Sequence, residues 1–376
     1  MKGLDSRLKK IIIFFSIGIV AIILLCYLIY LVRDKALTYE GIENKMISAS
    51  KSYFSKHKSK LPQENNEEVE ISASILAEEG YMKNITKYQK SKSVTCTGKV
   101  NVIKSGDYYY YSPYLNCGDK YTTAYFSDKL LDNVVNDGDG LYLSEQYYDG
   151  NVEKAYIYKG EYVKNYIAFG NNKELWRIVK INPDRTIMII QAEPNNKVYS
   201  KVTWDNRYNI DIGSNVGINN FEESRIRRRL LSYYNNEDYF NDDLKEKLVS
   251  KKVCIGGRHI KDSKNDGSIE CKKMSDTEVF FSLLPAYDFL NASLDKNCKL
   301  IEDKSCSNYN YLNRYGESFW LLTTNSANNY RGYLAYSYIR RETLSTNAYP
   351  RAVAYLNQNV IYSSGIGSYS DPFIIK

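Results

Sequence analysis

The sequence predicts an α+β protein: an N-terminal transmembrane helix, a small helix-plus-hairpin module, and then a larger α+β domain. Three observations carry that expectation. Ile11 to Val32 is a run of 22 residues without a charge; as a helix at ~1.5 Å per residue it spans ~33 Å, enough to cross a bilayer. Two strand-like runs, Val94 to Val102 and Tyr108 to Leu115, are joined through Lys104, Ser105, Gly106 and Asp107, a hairpin pattern. Beyond residue 150, short strands recur on either side of a pair of helical segments, an order that belongs to α+β domains.

The apolar run closes with Tyr27, Tyr30 and Arg33, without a small-residue cleavage site, so it reads as an uncleaved anchor. Lys2, Arg7, Lys9 and Lys10 precede it, while Arg33, Lys35 and Lys45 follow. That bias predicts residues 1–10 as a cytoplasmic tail, 11–32 as a single-pass span in the cell membrane, and the bulk of the chain as extracellular. Six basic and two acidic residues lie in the first 35, which leaves 45 basic against 42 acidic beyond them, a net +3. A nearly neutral body lacks the field of a nucleic-acid binder, and Arg225, Arg227, Arg228 and Arg229, with Glu222 and Glu223 beside them, read as a solvated helix face. With 43% hydrophobic and 25% charged residues the 376-residue chain is of globular composition, not a rod or a disordered tail. Only two histidines, His57 and His259, are present, which disfavours His-based catalysis or a multi-His metal site.

Cys26 falls within the apolar run; six others, Cys96, Cys117, Cys254, Cys271, Cys298 and Cys306, lie beyond it with no C-x-x-C among them. Disulfides fit that pattern better than metal or thiol chemistry. Sequential pairing is the simplest of fifteen connectivities, and Cys96 and Cys117 stand at the outer ends of the predicted hairpin.

Element by element, apolar residues at Leu37, Ile42, Met46, Ile47, Ala49, Tyr53 and Phe54 extend the transmembrane helix to about His57, where Leu61-Pro62 stops it. The stretch from Gln63 to Glu70 reads as a polar linker, and Ser72 to Glu79 as a short helix closed by Gly80. With the hairpin, these complete a membrane-proximal α+β module over 33–130. Asp132 to Gly140 marks a boundary; Asp137 and Asp139 lack the distal Glu of a calcium loop and read as an acidic turn. Over 150–376 come strands within Ala155–Gly160, Asn165–Gly170, Glu174–Ile181 and Thr186–Glu193, a helix after Ser224 with Ile226, Leu230, Leu231 and Tyr234 on one face, and a second helix from Asp242 to Val249. Strands return around Val253, Phe280, Trp320, Leu334 and Val353. The expected core holds Trp176, Ile178, Ile187, Ile189, Leu230, Leu231, Phe280, Leu283, Trp320, Leu322, Val353 and Leu356.

A helix emerging from a membrane and carrying a small sheet resembles the pilin plan in shape, although no prepilin cleavage motif is present. The larger domain resembles an uncharacterised family of bacterial surface domains similar to the C-type lectin-like fold of the sulfatase-modifying, formylglycine-generating enzymes. The likeness rests on Leu175–Val179, Ser224–Leu231, Glu278–Leu284, Ala286–Ser293, Cys298 and Cys306 before Asn308–Leu312, Phe319–Thr323 and Tyr349–Phe373. The resemblance implies a C-type lectin-like α+β domain. The enzymes of that group use a reactive cysteine pair that handles copper and oxygen; it does not map onto this chain, and Cys298 with Cys306, the nearest in position, have no activating His beside them and read as a structural disulfide.

Together these features predict a membrane-anchored, surface-displayed binding or adhesion protein, without cofactor or metal, whose partner is an extracellular protein or glycan and not a nucleic acid. The run Asn325 to Tyr349 mixes Tyr, Asn, Ser and Arg, a composition of binding loops. Its candidate contact residues are Asn328, Asn329, Tyr330, Arg331, Tyr338, Arg340 and Arg341. The alternatives are a formylglycine-type modifying enzyme and a structural subunit of a pilus-like assembly.

Overall fold

The computed structural model describes residues 36–64, 67–90, 93–105, 108–193, 200–313 and 316–376. The expected tail, the expected transmembrane run 11–32 and residues 106–107 of the expected hairpin connection lie outside the described residues. Among the described residues no helix is long and apolar enough to cross a membrane. Contacts divide the described chain into two units, one holding residues 36–62, 68–102 and 111–123, the other 63–67, 103–110 and 124–376.

In the first unit, Thr38 takes an extended conformation and its hydroxyl accepts from the Gly41 amide at 3.0 Å, so helix α1 (Tyr39–Lys56) starts there. The expectation that one helix runs on from the apolar segment to His57 is corrected: residues 36–38 are not helical, because a side-chain cap replaces the missing turn. Ile42, Met46, Ala49, Tyr53 and Phe54 form the buried stripe of α1. Strand β1 (Glu68–Ser72) occupies part of the supposed linker; Ile71 is its buried anchor. Ser72 caps α2 (Ala73–Glu78), and Gly80, at φ +77°, lets the chain leave it. Strands β2 (Thr97–Ser105) and β3 (Tyr108–Asn116), which belong to this unit through residues 97–102 and 111–116, complete a sheet of order β1-β2-β3. The Met46 side chain lies where a Cβ on Gly98 would stand, so glycine lets the helix approach the sheet.

The second unit opens with α3 (Phe126–Leu131) and the nine-residue strands β4 (Gly140–Tyr148) and β5 (Asn151–Lys159), paired from Gly140 with Lys159 to Tyr148 with Asn151. Asp149 and Gly150 both have positive φ, the two-residue turn that matches strand twist. Asp139 accepts from the Glu161 and Tyr162 amides, so the acidic turn closes a loop end. Next come β6 (Tyr166–Ala168), β7 (Leu175–Ile181), β8 (Ile187–Gln191) and β9 (Val202–Thr203). Ser224 caps α4 (Arg225–Tyr234), and α5 (Asp242–Glu246) follows. It stops short of Val249 because Leu248 bridges to Leu356 and the Val249 amide donates to the Tyr355 carbonyl.

The remaining elements are β10 (Phe281–Ser282), α6 (Ala286–Asn291), β11 (Phe319–Thr324), β12 (Arg331–Ala335), β13 (Ile339–Thr343), β14 (Asn347–Ala348), β15 (Val353–Leu356), β16 (Tyr362–Ser364) and β17 (Ile374–Ile375). The central sheet has the order β10-β15-β8-β7-β5-β4, with β6 also on β7. Its β8 is buried along its whole length, which explains a continuous apolar run where alternation would mark a half-exposed strand. A second sheet has the order β11-β12-β13, and shorter pairs join β9 to β14 and β16 to β17.

The core cluster contains every expected residue except two. Leu231 is 56% exposed, because the buried face of α4 runs through Ile226, Leu230 and Tyr233 and places position 231 outside. Phe280 is half-buried and stacks on Tyr234 with ring centroids 4.4 Å apart.

Candidate functional site

All seven candidate contact residues are half-buried, but they are spread along one hairpin. Asn328, Asn329 and Tyr330 lie in the connection from β11 to β12, whereas Tyr338 lies in the turn at the other end of β12. Opposite Tyr333 stands Arg341, and opposite Leu334 stands Arg340, so the two arginines take opposite faces of the ribbon. Arg331 shares its face with Tyr333 and Arg341. The Arg331 guanidinium lies 5.5 Å from the Tyr330 ring and that of Arg340 5.5 Å from Tyr336.

Asn329 belongs to a different construction, one that composition does not reveal. The loop 206–219 is pinned from inside by Asn209, whose amide donates to the Ser214 carbonyl and whose side chain donates to the Gly217 carbonyl and to the Asn329 side chain. Asn329 donates to Asp211 at 2.6 Å, and its carbonyl accepts from the Asn219 amide at 2.7 Å. Gly217 has φ +87° and passes so close to the Asp205 carbonyl that a side chain would collide with it. Asp205 also accepts from Arg207 and the Ile218 amide. This frame presents Tyr208, Ile210 and Ile212 to solvent, with Ile210 86% exposed. The signal was present as Ile210 and Ile212 within an Asn- and Gly-rich turn sequence, but exposure on a rigid loop is not readable from composition.

A cleft of about 520 Å³ in the second unit is lined by Gln146, Tyr148, Lys180, Lys251, Tyr287 and Tyr355, among others. Two lysine-carboxylate-tyrosine groups contribute their lysine and tyrosine to its wall. In one, Lys180 Nζ lies 2.9 Å from both carboxylate oxygens of Asp288 and 3.1 Å from the Tyr287 hydroxyl. In the other, Lys251 donates to Asp184 and, at 2.8 Å, to the Tyr148 hydroxyl, which itself donates to Asp184 at 2.7 Å. Burial pushes the Asp288 carboxyl above its ordinary value, with Lys180 opposing. Burial also acts upward on Asp184, but the charge and hydrogen bond of Lys251, with hydrogen bonds from Thr186 and Tyr148, bring it below the usual range. Burial is also the main cause that raises the Tyr148, Tyr287 and Tyr355 hydroxyls.

All six cysteines beyond the apolar run are paired, Cys96 with Cys117, Cys254 with Cys271 and Cys298 with Cys306. Cys298 and Cys306 are both buried. Among the described residues no group of three His, Cys, Asp or Glu side chains is placed to hold a metal ion. Compared with known proteins, the chain matches no family model, no curated protein and no solved structure.

Proposed function

We propose that the chain is a membrane-anchored binding protein displayed outside the cell, with the run 11–32 as its span, the N-terminus inside, and a C-type lectin-like second unit that offers the loop 206–219 to an extracellular protein. The observation that carries this reading is the pairing of all six cysteines beyond the apolar run into three disulfides, which form and persist in oxidising compartments. The frame around Asn209 and Asn329 adds support. A rigid loop that exposes a tyrosine and two isoleucines offers apolar contact area whose ordering cost is met on folding, before any partner arrives.

Intact cells are labelled with a membrane-impermeant maleimide, before and after reduction, and the six cysteines are mapped by peptide mass. Labelling only after reduction is expected. Labelling that requires lysis would reverse the topology and remove the reading. For the loop, attachment of cells displaying the full chain is compared with the Tyr208→Ser/Ile210→Ser variant; undiminished attachment would remove the loop from the binding face.

The packing of α1 on a three-stranded sheet favours, as a second reading, a subunit of a pilus-like assembly. Cross-linking in native membranes that yields only monomer would rule it out.

A further inference from the structure

We propose that the cleft beside Lys180 and Lys251 is a binding site for a neutral, hydroxyl-rich ligand, a saccharide unit, recognised by tyrosines and an amide without a metal ion. The site is separate from the loop 206–219 and does not depend on what that loop binds.

Charge decides the class first. Of the three lysines in the lining, the two that are not exposed are already neutralised by buried carboxylates, Lys180 by Asp288 and Lys251 by Asp184, while Lys252 is exposed, as are the lining carboxylates Asp149 and Glu278. An anion that reaches Lys180 or Lys251 would have to compete with those carboxylates, and a cation that reaches Asp288 or Asp184 would have to displace the lysines from them. Neither exchange is favourable in a buried site, because it leaves one charge uncompensated. A neutral ligand disturbs neither pair.

Unmet hydrogen-bonding capacity then says what that ligand carries. Gln146 is only 4% exposed; its Nε2 donates to the Glu145 carbonyl at 2.9 Å, while its Oε1 has no hydrogen-bond partner among the described residues. A buried acceptor without a donor is costly, and a ligand hydroxyl would supply the donor. The Tyr355 hydroxyl, in the same lining, makes no hydrogen bond among the described residues and can donate or accept. Tyr148 and Tyr287 add apolar ring surface to the walls. Mixed donors and acceptors beside tyrosine rings fit a ring that is polar at its edge and apolar on its C–H faces.

Full-length protein in lipid nanodiscs is titrated calorimetrically with methyl glycosides of neutral hexoses and N-acetylhexosamines, and with glucuronate and glucosamine as charged counterparts. Binding of at least one neutral member is expected, with both charged sugars weaker. Gln146→Met and Tyr355→Phe should each weaken it about tenfold, the loss of one hydrogen bond, with thermal melting as the check on folding. A tetrasaccharide of the preferred sugar distinguishes the end of a polymer from a free sugar. Absence of binding by every neutral member, tighter binding of a charged sugar, or unchanged affinity in both variants would overturn the proposal. The titration uses purified protein, so its failure leaves the maleimide result on surface display standing, and the reverse holds.

Discussion

Lys180 places its ammonium 2.9 Å from both carboxylate oxygens of Asp288, 108 residues further along the chain, and both side chains are buried. The pair ties β7 to α6. Removing one partner leaves the other charged in a low-dielectric wall, which costs far more than the net value of the pair. Lys180→Met is expected to destabilise the protein by about 3–5 kcal/mol near neutral pH in denaturant titrations, whereas Lys180→Met/Asp288→Leu should recover most of the loss. The single-variant penalty should shrink in acid, because burial already favours the protonated Asp288. Equal losses in the single and double variants would mean that the charge itself is not what is felt.

Asp184 has the opposite sign. Its carboxyl is held below the ordinary value, so its ionised form contributes stability above the unfolded carboxylate pKa of about 3.9, and that contribution is lost as pH falls through the folded value. Asp184→Asn should cost about 1.5–3 kcal/mol near neutral pH, the scale of a hydrogen bond to a charged group. The gap to the parent should close below pH ~4. Melting curves over an acid-to-neutral series test this; a gap constant across the series would contradict it.

How much of this was legible in the sequence depended on which physical signal an element carries. Ser72 and Ser224 announce α2 and α4 because a cap is a local side-chain interaction, readable at one position. Strand β4 is not legible although Asp149-Gly150 is a strong turn pair, because Asp132 to Gly140 carries the boundary signal just before it and Leu141 to Tyr148 mixes polar and aromatic residues. The candidate contact residues rest on composition, which does not say that Arg340 and Arg341 point to opposite faces. The wall of the cleft was invisible for a different reason. Gln146, Lys180 and Tyr355 stand on β4, β7 and β15, which only the sheet order β15-β8-β7-β5-β4 brings together, while Lys251 and Tyr287 come from outside that sheet, Tyr287 from α6.

Leu230 and Leu231 give a sharp comparison, since they are chemically identical neighbours with opposite surroundings. Leu230 is fully buried, and Leu231 is more than half exposed. Leu230→Ala should cost about 2–5 kcal/mol, whereas Leu231→Ala should change stability by less than about 0.5 kcal/mol. Comparable losses would move the buried face of α4 by one residue.

Trp204 and Trp320 brace their two segments reciprocally: the Trp204 indole donates to the Leu321 carbonyl at 3.2 Å, and the Trp320 indole donates to the Val202 carbonyl at 3.0 Å. Each ring is buried and each polar tip is satisfied by the other's strand, so size and hydrogen bonding act together. Trp320→Ala should destabilise by roughly 3–5 kcal/mol. Trp320→Phe separates the two contributions: it keeps most of the apolar volume and removes only the donor to Val202, so its cost should fall to about 1–3 kcal/mol. Denaturant midpoints for both variants decide between them. A Phe variant as unstable as the Ala variant would mean that the hydrogen bond carries the site. A loss below about 1 kcal/mol in Trp320→Ala would mean that the space collapses without it and that β9 and β11 are held together by other contacts.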